Sequence, residues 1–431
     1  MAPVRKKLGL LLLMFLTLGN MVGVGIFLLP ASMASIGSIS VYGWILASVG
    51  ALLLALVFAR ISTLVPKGGG PYAYAHVGFG EYIGFHTAYS YWVSVTIGNA
   101  ATALGVVAYL RVFFPGLIDP IAACTLAIAS LWFITCINIF GVRLSSIVQL
   151  VATIIKLLPL LLIIALGWHY FDPSFLHEPV NISGASDYQA VMMAAVLAFW
   201  GFLGLESAAV TLNVAENPRR NIPLATILAT VITIGLYITL IILVMGMLPL
   251  NVLQHSTSPM ADVAQLIFGT PGKWIIIVWA VVSCLGAING WKILQSQMAL
   301  AAAENHMFPR VFARLNRFDV PISGMVVAAL CETIILIFTA ETDLMHQFNV
   351  LVMMSTFSLM MPYFKTCLAQ IFILGQVHKP KPRTWMHFAI AGLATVFSFW
   401  LIFNAGWNII YFGAVLLISS SPLYIWMRLK K

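Results

Sequence analysis

The sequence predicts an all-α polytopic membrane protein of about twelve transmembrane helices, with helices 1 and 6 broken near mid-membrane. Three observations carry this. Of the 431 residues 61% are hydrophobic and only 8% are charged, where a soluble domain holds about 25% charged residues. Apolar stretches of about 20 residues, each long enough to cross a bilayer, recur from end to end. Lysine and arginine concentrate in alternate loops, as the positive-inside rule requires.

Arg5, Lys6 and Lys7 precede span 1 (residues 9–34). Span 2 (40–64) ends near Arg60 and Lys67, and the Pro66 to Pro71 connection stops its helix. Spans 3 (83–113) and 4 (119–140) meet at an outer segment with Arg111 and Asp119. Arg143 stands between spans 4 and 5 (145–168). A long outer loop, 169–187, carries Asp172, Glu178 and Asp187 to span 6 (188–214). Arg219 and Arg220, within the Pro218 to Pro223 connection, lead into span 7 (221–247). A second outer loop, 248–273, holds Asp262 and Lys273 before span 8 (274–303). Arg310, Arg314 and Arg317 precede span 9 (322–340), and Glu341 and Asp343 separate it from span 10 (347–375). Lys379, Lys381 and Arg383 precede spans 11 (386–403) and 12 (407–427); Arg428, Lys430 and Lys431 follow.

This alternation places both termini in the cytoplasm and makes the net charge of +9 a matter of topology, not a nucleic-acid signal. Residues 5–35 share a basic start and an apolar run with signal peptides, up to Ala31-Ser32-Met33-Ala34, but the run continues to Pro30, longer than a usual h-region. Cys124, Cys136, Cys284, Cys331 and Cys367 all fall in apolar segments without metal-ligand spacing, so they read as small buried side chains. One transmembrane domain over 1–431 is expected.

Two spans carry glycine clusters where a helix should be continuous. Span 1 reads Gly19-Asn20-Met21-Val22-Gly23-Val24-Gly25, and span 6 reads Trp200-Gly201-Phe202-Leu203-Gly204-Leu205-Glu206. Glycine costs a helix roughly 1 kcal/mol relative to alanine, and a break frees backbone groups that must bind something or line a cavity. Five spans separate the two breaks, an odd number, so the halves run in opposite senses. A 5+5 inverted repeat follows, about 9–168 and 188–375, with extra helices over 386–427. This is the LeuT-like architecture, and paired broken helices point to a transporter's substrate site.

Ionisable groups at membrane depth are functional candidates by default: Lys156, Glu206, Lys292, Glu332 and Lys365. Glu206 follows the second break, where it can serve a cation or proton pathway or cap freed N–H groups. Trp200 and Trp291 suit stacking or gating of a cationic group, or a lipid-facing role. Asn20 and Asn99 can bond a substrate or join helices; Ser355 and Tyr363 in span 10 are weaker candidates. Lys156, midway along span 5, can exchange a proton or hold its charge against carbonyls freed by the first break, replacing a sodium ion. Lys292 and Lys365 can face a water-filled vestibule, and Glu332 can pair with one of them. The chain has no Ser/His/Asp arrangement, phosphate loop or metal cluster, so neither an enzyme nor a cofactor or metal is expected.

At these residues the chain resembles the basic amino acid/polyamine antiporter family of the amino acid–polyamine–organocation (APC) superfamily, its arginine/agmatine exchangers first and its putrescine/ornithine exchangers next. The landmarks are GNMVGVGIFLLP (19–30), GGGPYAYA (68–75), YWVSVTIGN (91–99), FWGFLGLESAAV (199–210), ENPRRNIPLAT (216–226), GAINGWKILQSQ (286–297) and QFNVLV (347–352). The resemblance implies that Asn20 to Gly25, with Met21 and Val24, receives the substrate's amino and carboxylate groups on freed backbone. It implies stacking on Trp200 with Leu203 beside it, contacts from Ser94, Asn99 and Ser355, an inner aromatic at Trp291, gate tyrosines at Tyr91 and Tyr363, and a needed glutamate at Glu206. Three positions depart from the family pattern. Val24 stands where the antiporters show serine between two glycines, and Thr102 where the arginine exchangers have a larger apolar side chain. Lys156 stands where sodium-independent transporters elsewhere in the superfamily carry lysine.

The expectation is therefore an inner-membrane antiporter. It exchanges a cationic amino acid, arginine first, for its decarboxylated amine by alternating access, in acid resistance. The substrates are small amino acids and amines, the surroundings a lipid bilayer, and the assembly a homodimer. The alternatives are a proton-coupled uptake permease using Lys156 and a substrate-sensing protein on a transporter scaffold.

Overall fold

Hydrocarbon offers backbone N–H and C=O groups no partner, so an apolar chain of this length must satisfy them within helices. The computed structural model describes residues 8–140, 142–177, 180–212, 215–316, 318, 320–341, 343–376 and 382–429, and no strand occurs among them. Arg5, Lys6, Lys7, Glu178, Arg317, Lys379, Lys381, Lys430 and Lys431 lie outside the described residues, as does the side chain of Arg143.

Span 1 is two helices, α1 (Leu10–Met21) and α2 (Gly25–Ala34). Span 2 is α3 (Ser40–Leu64); a short α4 (Pro71–Phe79) precedes span 3, α5 (Glu81–Leu110). Spans 4 and 5 are α6 (Pro120–Ile139) and α7 (Val142–Gly167), and α8 (Ser174–His177) lies in the loop after them. Span 6 is again divided, into α9 (Asp187–Trp200) and α10 (Ser207–Val210). Span 7 is α11 (Pro218–Met245); α12 (Leu250–Leu253) leads to α13 (Pro259–Glu304), which contains span 8. Spans 9 to 11 are α14 (Ile322–Phe338), α15 (Leu344–Gly375) and α16 (Pro382–Phe403). Span 12 divides at Ser419 into α17 (Trp407–Ile418) and α18 (Ser420–Leu429). Among the described residues ten segments are long and apolar enough to cross a membrane, and with the shorter apolar helices α9 and α14 they correspond to the twelve expected spans.

The segment 248–273, expected as a loop, is largely helical. Pro259 and Asp262 suit the first turn of α13, whose course bends at Gly269, held at φ +69°. The stretch before the bend is too short to cross a bilayer, so apolar length alone does not mark it. The same holds for α4 between spans 2 and 3.

The most enclosed spanning helix is α5, which packs against α13, α15 and α6. On the other side α1 lies against α7 and α11, and α3 lies against α9 and α11. Helices α16 and α17 cover α15 from outside. Their exposed Leu393, Phe399, Phe403, Trp407 and Phe412 form an apolar outer face suited to lipid. Both breaks thus lie inside the bundle, where freed backbone can meet protein partners.

Candidate substrate site

Helix α1 stops at Met21 and α2 restarts at Gly25, and the residues between are fully enclosed. Protein groups take the carbonyls released at this break. Tyr237 Oη donates to Met21 O at 2.7 Å, and Lys156 Nζ donates to Gly19 O. The first-turn N–H groups of α2 have no carbonyl one turn back in their own helix, which gives this end a partial positive charge. A Cβ at Gly25 would meet the Trp200 ring at 3.3 Å, so glycine lets that indole lie against the break.

The second break runs from Gly201 to Glu206. Gly204 is held at φ +104°, a conformation that excludes most side chains. Phe202 packs edge-on to Trp44 at 6.0 Å, and Trp44 packs edge-on to Tyr237 at 5.2 Å, an aromatic buttress behind the turn. Glu206 is fully buried and accepts three hydrogen bonds: from Tyr91 Oη at 2.9 Å, from Tyr363 Oη, and from Gly204 N at 3.2 Å. Its carboxylate therefore caps freed backbone and ties the break to α5 and α15.

Between the two breaks lies a small cavity, lined among others by Asn20, Met21, Val24, Gly25, Ser94, Trp200, Leu203, Trp291 and Ser355. Nine of the positions singled out in the sequence thus meet at one place. Thr102, Gly98 and Val95 of α5 complete one wall. Trp200 is partly buried and stands edge-on to Phe348 at 5.6 Å. Ser94 Oγ donates to Ser355 O at 2.7 Å and Ser355 Oγ donates to Ser94 O at 3.0 Å, clasping α5 to α15 beside the cavity.

A family model described as amino acid permease matches residues 8–427. The chain belongs to the amino acid permease family. The permease is 34% identical over 381 residues to a cadaverine/lysine antiporter of Escherichia coli (strain K12), covering 86% of this chain and 84% of that protein. It is 29% identical over 420 residues to the putrescine transporter PotE of the same strain, covering 97% and 95%. A Haemophilus influenzae protein also named putrescine transporter PotE is 30% identical over 426 residues, 98% of each chain. The permease is thus a transporter rather than an enzyme, and a multi-pass inner-membrane protein.

Two residues expected at the substrate, Glu206 and Asn99, and the two expected gate tyrosines, Tyr91 and Tyr363, are absent from the cavity lining in this permease. Glu206, Tyr91 and Tyr363 face one another behind it, because the freed Gly204 N–H and two phenols occupy the carboxylate. Asn99 is absent from the lining and gives its Nδ2 to Glu332 Oε1 at 2.9 Å. Glu332 in turn pairs with Lys292 at 2.6 Å, and both are enclosed within the bundle. That pairing keeps two charges tolerable at membrane depth, and Lys292 also lines a second, smaller cavity with Trp92, Gln295 and Phe312. Lys365 Nζ lies 2.6 Å from His86 Nδ1. An ammonium only donates, so that imidazole nitrogen is the acceptor.

Several polar residues at the breaks escaped the sequence reading. Gln149 Nε2 donates to Asn20 Oδ1 at 3.1 Å, and Asn289 Nδ2 to Gln149 Oε1 at 3.4 Å. Asn138 Nδ2 donates to Asn289 Oδ1 at 3.0 Å. Amides at membrane depth were the available signal for this chain of donors. Tyr237 and His86 had no comparable signal, since a lone aromatic or histidine in an apolar run reads as packing.

Proposed function

We propose that the permease is an antiporter exchanging a cationic amino acid for the amine left by its decarboxylation, by alternating access. The observation that supports this is the single cavity in which the amino end of α2, Trp200 and Ser355 converge. The α2 terminus suits a carboxylate, and an indole face suits an ammonium or guanidinium. Backbone N–H groups serve here without the serine that Val24 replaces. Arginine with agmatine is the pair implied by the sequence resemblance, and lysine with cadaverine is the pair carried by the name of a relative that matches most of the chain. Paired with a cytoplasmic decarboxylase, which consumes a proton, such exchange serves acid resistance. The same proposal includes the two inverted repeats, 9–168 and 188–375, cytoplasmic termini and a homodimer.

A second reading, proton-coupled amino acid uptake, is favoured by one observation: Lys156 Nζ sits on the Gly19 carbonyl at the first break. There an ammonium can supply a positive charge that comes and goes with a proton. Counterflow decides between the readings. Proteoliposomes are loaded in turn with arginine, agmatine, lysine, cadaverine, putrescine, neutral amino acids or buffer alone. Labelled arginine or lysine entering only against an internal cationic partner supports the antiporter. A labelled neutral amino acid entering empty vesicles down a proton gradient overturns it in favour of uptake.

A further inference from the structure

Asn99 is 1% exposed and its Oδ1 has no hydrogen-bond partner. It sits one helical turn from Val95 and from Thr102, and directly after Gly98, all three of which line the cavity. Its Nδ2 is held by Glu332, which is fully enclosed and paired with Lys292. A carboxylate accepts hydrogen bonds and donates none. An amide beside it must therefore offer its NH2 group to the carboxylate and its carbonyl elsewhere.

We propose that the Glu332–Lys292 pair is a specificity-determining positioning element, which turns the Asn99 amide so that only its carbonyl is free to meet the far end of the substrate. A carbonyl in that place rewards a donor, such as an ammonium or guanidinium, and is left unsatisfied by an apolar side chain of equal length. Sites built around a buried polar partner discriminate in this way against analogues that lack it. Lys292 touches no substrate in this scheme. It balances the charge of Glu332, and the pair acts through Asn99. The proposal rests on the cationic-substrate reading above and adds the residues that enforce it.

The test is competition between lysine, or arginine if counterflow prefers it, and norleucine, which is lysine without its ε-amino group. In proteoliposomes of the whole permease the ratio of norleucine KM to lysine KM is measured for wild type, Asn99→Ala and Lys292→Met/Glu332→Gln. The amide introduced at position 332 both donates and accepts, so it no longer dictates which way Asn99 turns. The ratio is expected to fall about ten-fold or more, the order of one unsatisfied buried acceptor, in the double variant and in Asn99→Ala alike, with the change carried by the lysine KM and not by the norleucine KM. Combining the changes should lower it no further. A second variant, Lys292→Glu/Glu332→Lys, keeps the ion pair but places a donor-only group at 332. The amide then turns its carbonyl to that group, and the preference for lysine should be lost there too. A double variant or exchanged pair that keeps the wild-type ratio while Asn99→Ala loses it overturns the proposal. So does an Asn99→Ala variant that keeps the ratio. Wild-type protein that takes norleucine as readily as lysine or arginine instead overturns the cationic-substrate reading itself, and this proposal with it.

Discussion

Asn20 Nδ2 on the first broken span donates at 3.0 Å to Ser207 Oγ on the second, and Ser207 Oγ donates at 2.5 Å to the Gly204 carbonyl. The two breaks are therefore joined directly, through side chains 187 residues apart in sequence. Behind Asn20 the donors run in one direction, from Asn138 through Asn289 and Gln149. Asn289, Gln149 and Asn20 each accept with the carbonyl and donate with the NH2, so the chain ties α6, α13 and α7 to the junction of the breaks. A substrate held at Asn20, as proposed above, would touch this junction.

Ser207→Ala removes the acceptor of Asn20 and the partner of Gly204 O while keeping the volume of the turn. An unsatisfied buried polar group costs about 1–3 kcal/mol. The variant should unfold at lower temperature in detergent and exchange substrate more slowly, and Ser207→Thr should recover part of both. Unaltered thermal unfolding in the alanine variant would show that water or substrate replaces the hydroxyl.

Trp200→Leu keeps an apolar lining but removes the indole face. A cation over an indole gains roughly 0.5–2 kcal/mol, so KM for the cationic substrate should rise by about 2- to 30-fold. Norleucine, with no charge to lose, should be little affected. Equal effects on both substrates, read from initial rates in proteoliposomes, would mean that Trp200 acts by shape alone.

The Trp200 and Ser207 predictions differ in how far the residues themselves announced them. The breaks were legible because glycine clusters are costly within an apolar span, and Trp200 because it stands inside one. The partners were not. Tyr91 and Tyr363 lie 115 and 157 residues from Glu206, and nothing in their own spans marks the meeting. Asn99 was legible as an amide at membrane depth, but its turn toward Glu332 depends on α14 packing beside α5, which hydropathy does not encode. Short helices such as α4 and α12 were missed because apolar length, the main signal in a membrane protein, is absent from them.

Glu206→Gln keeps an acceptor oxygen for one tyrosine, and the other phenol can turn to accept from the new amide. The fold should survive. What disappears is a buried negative charge behind the cavity, whose pull on a cationic substrate is about 1–2 kcal/mol at an effective dielectric near 20. Affinity for the cationic substrate should fall on the order of ten-fold, and the dependence of exchange rate on pH should flatten. A variant with the wild-type pH profile would assign Glu206 to capping the Gly204 N–H alone.

Lys156→Met tests the second functional reading, because the thioether fills the lysine's space without its charge. Two consequences separate if Lys156 is the coupling group. Exchange at saturating substrate on both sides should continue, since neither direction needs net proton movement, whereas accumulation driven by an imposed proton gradient should be lost. If Lys156 only fixes the Gly19 carbonyl at the break, both activities should drop together, because the first break is then loosened whatever drives transport. Measured side by side in the same vesicle preparation, the two rates distinguish a proton-carrying lysine from a structural one. An unchanged gradient-driven rate would exclude both roles.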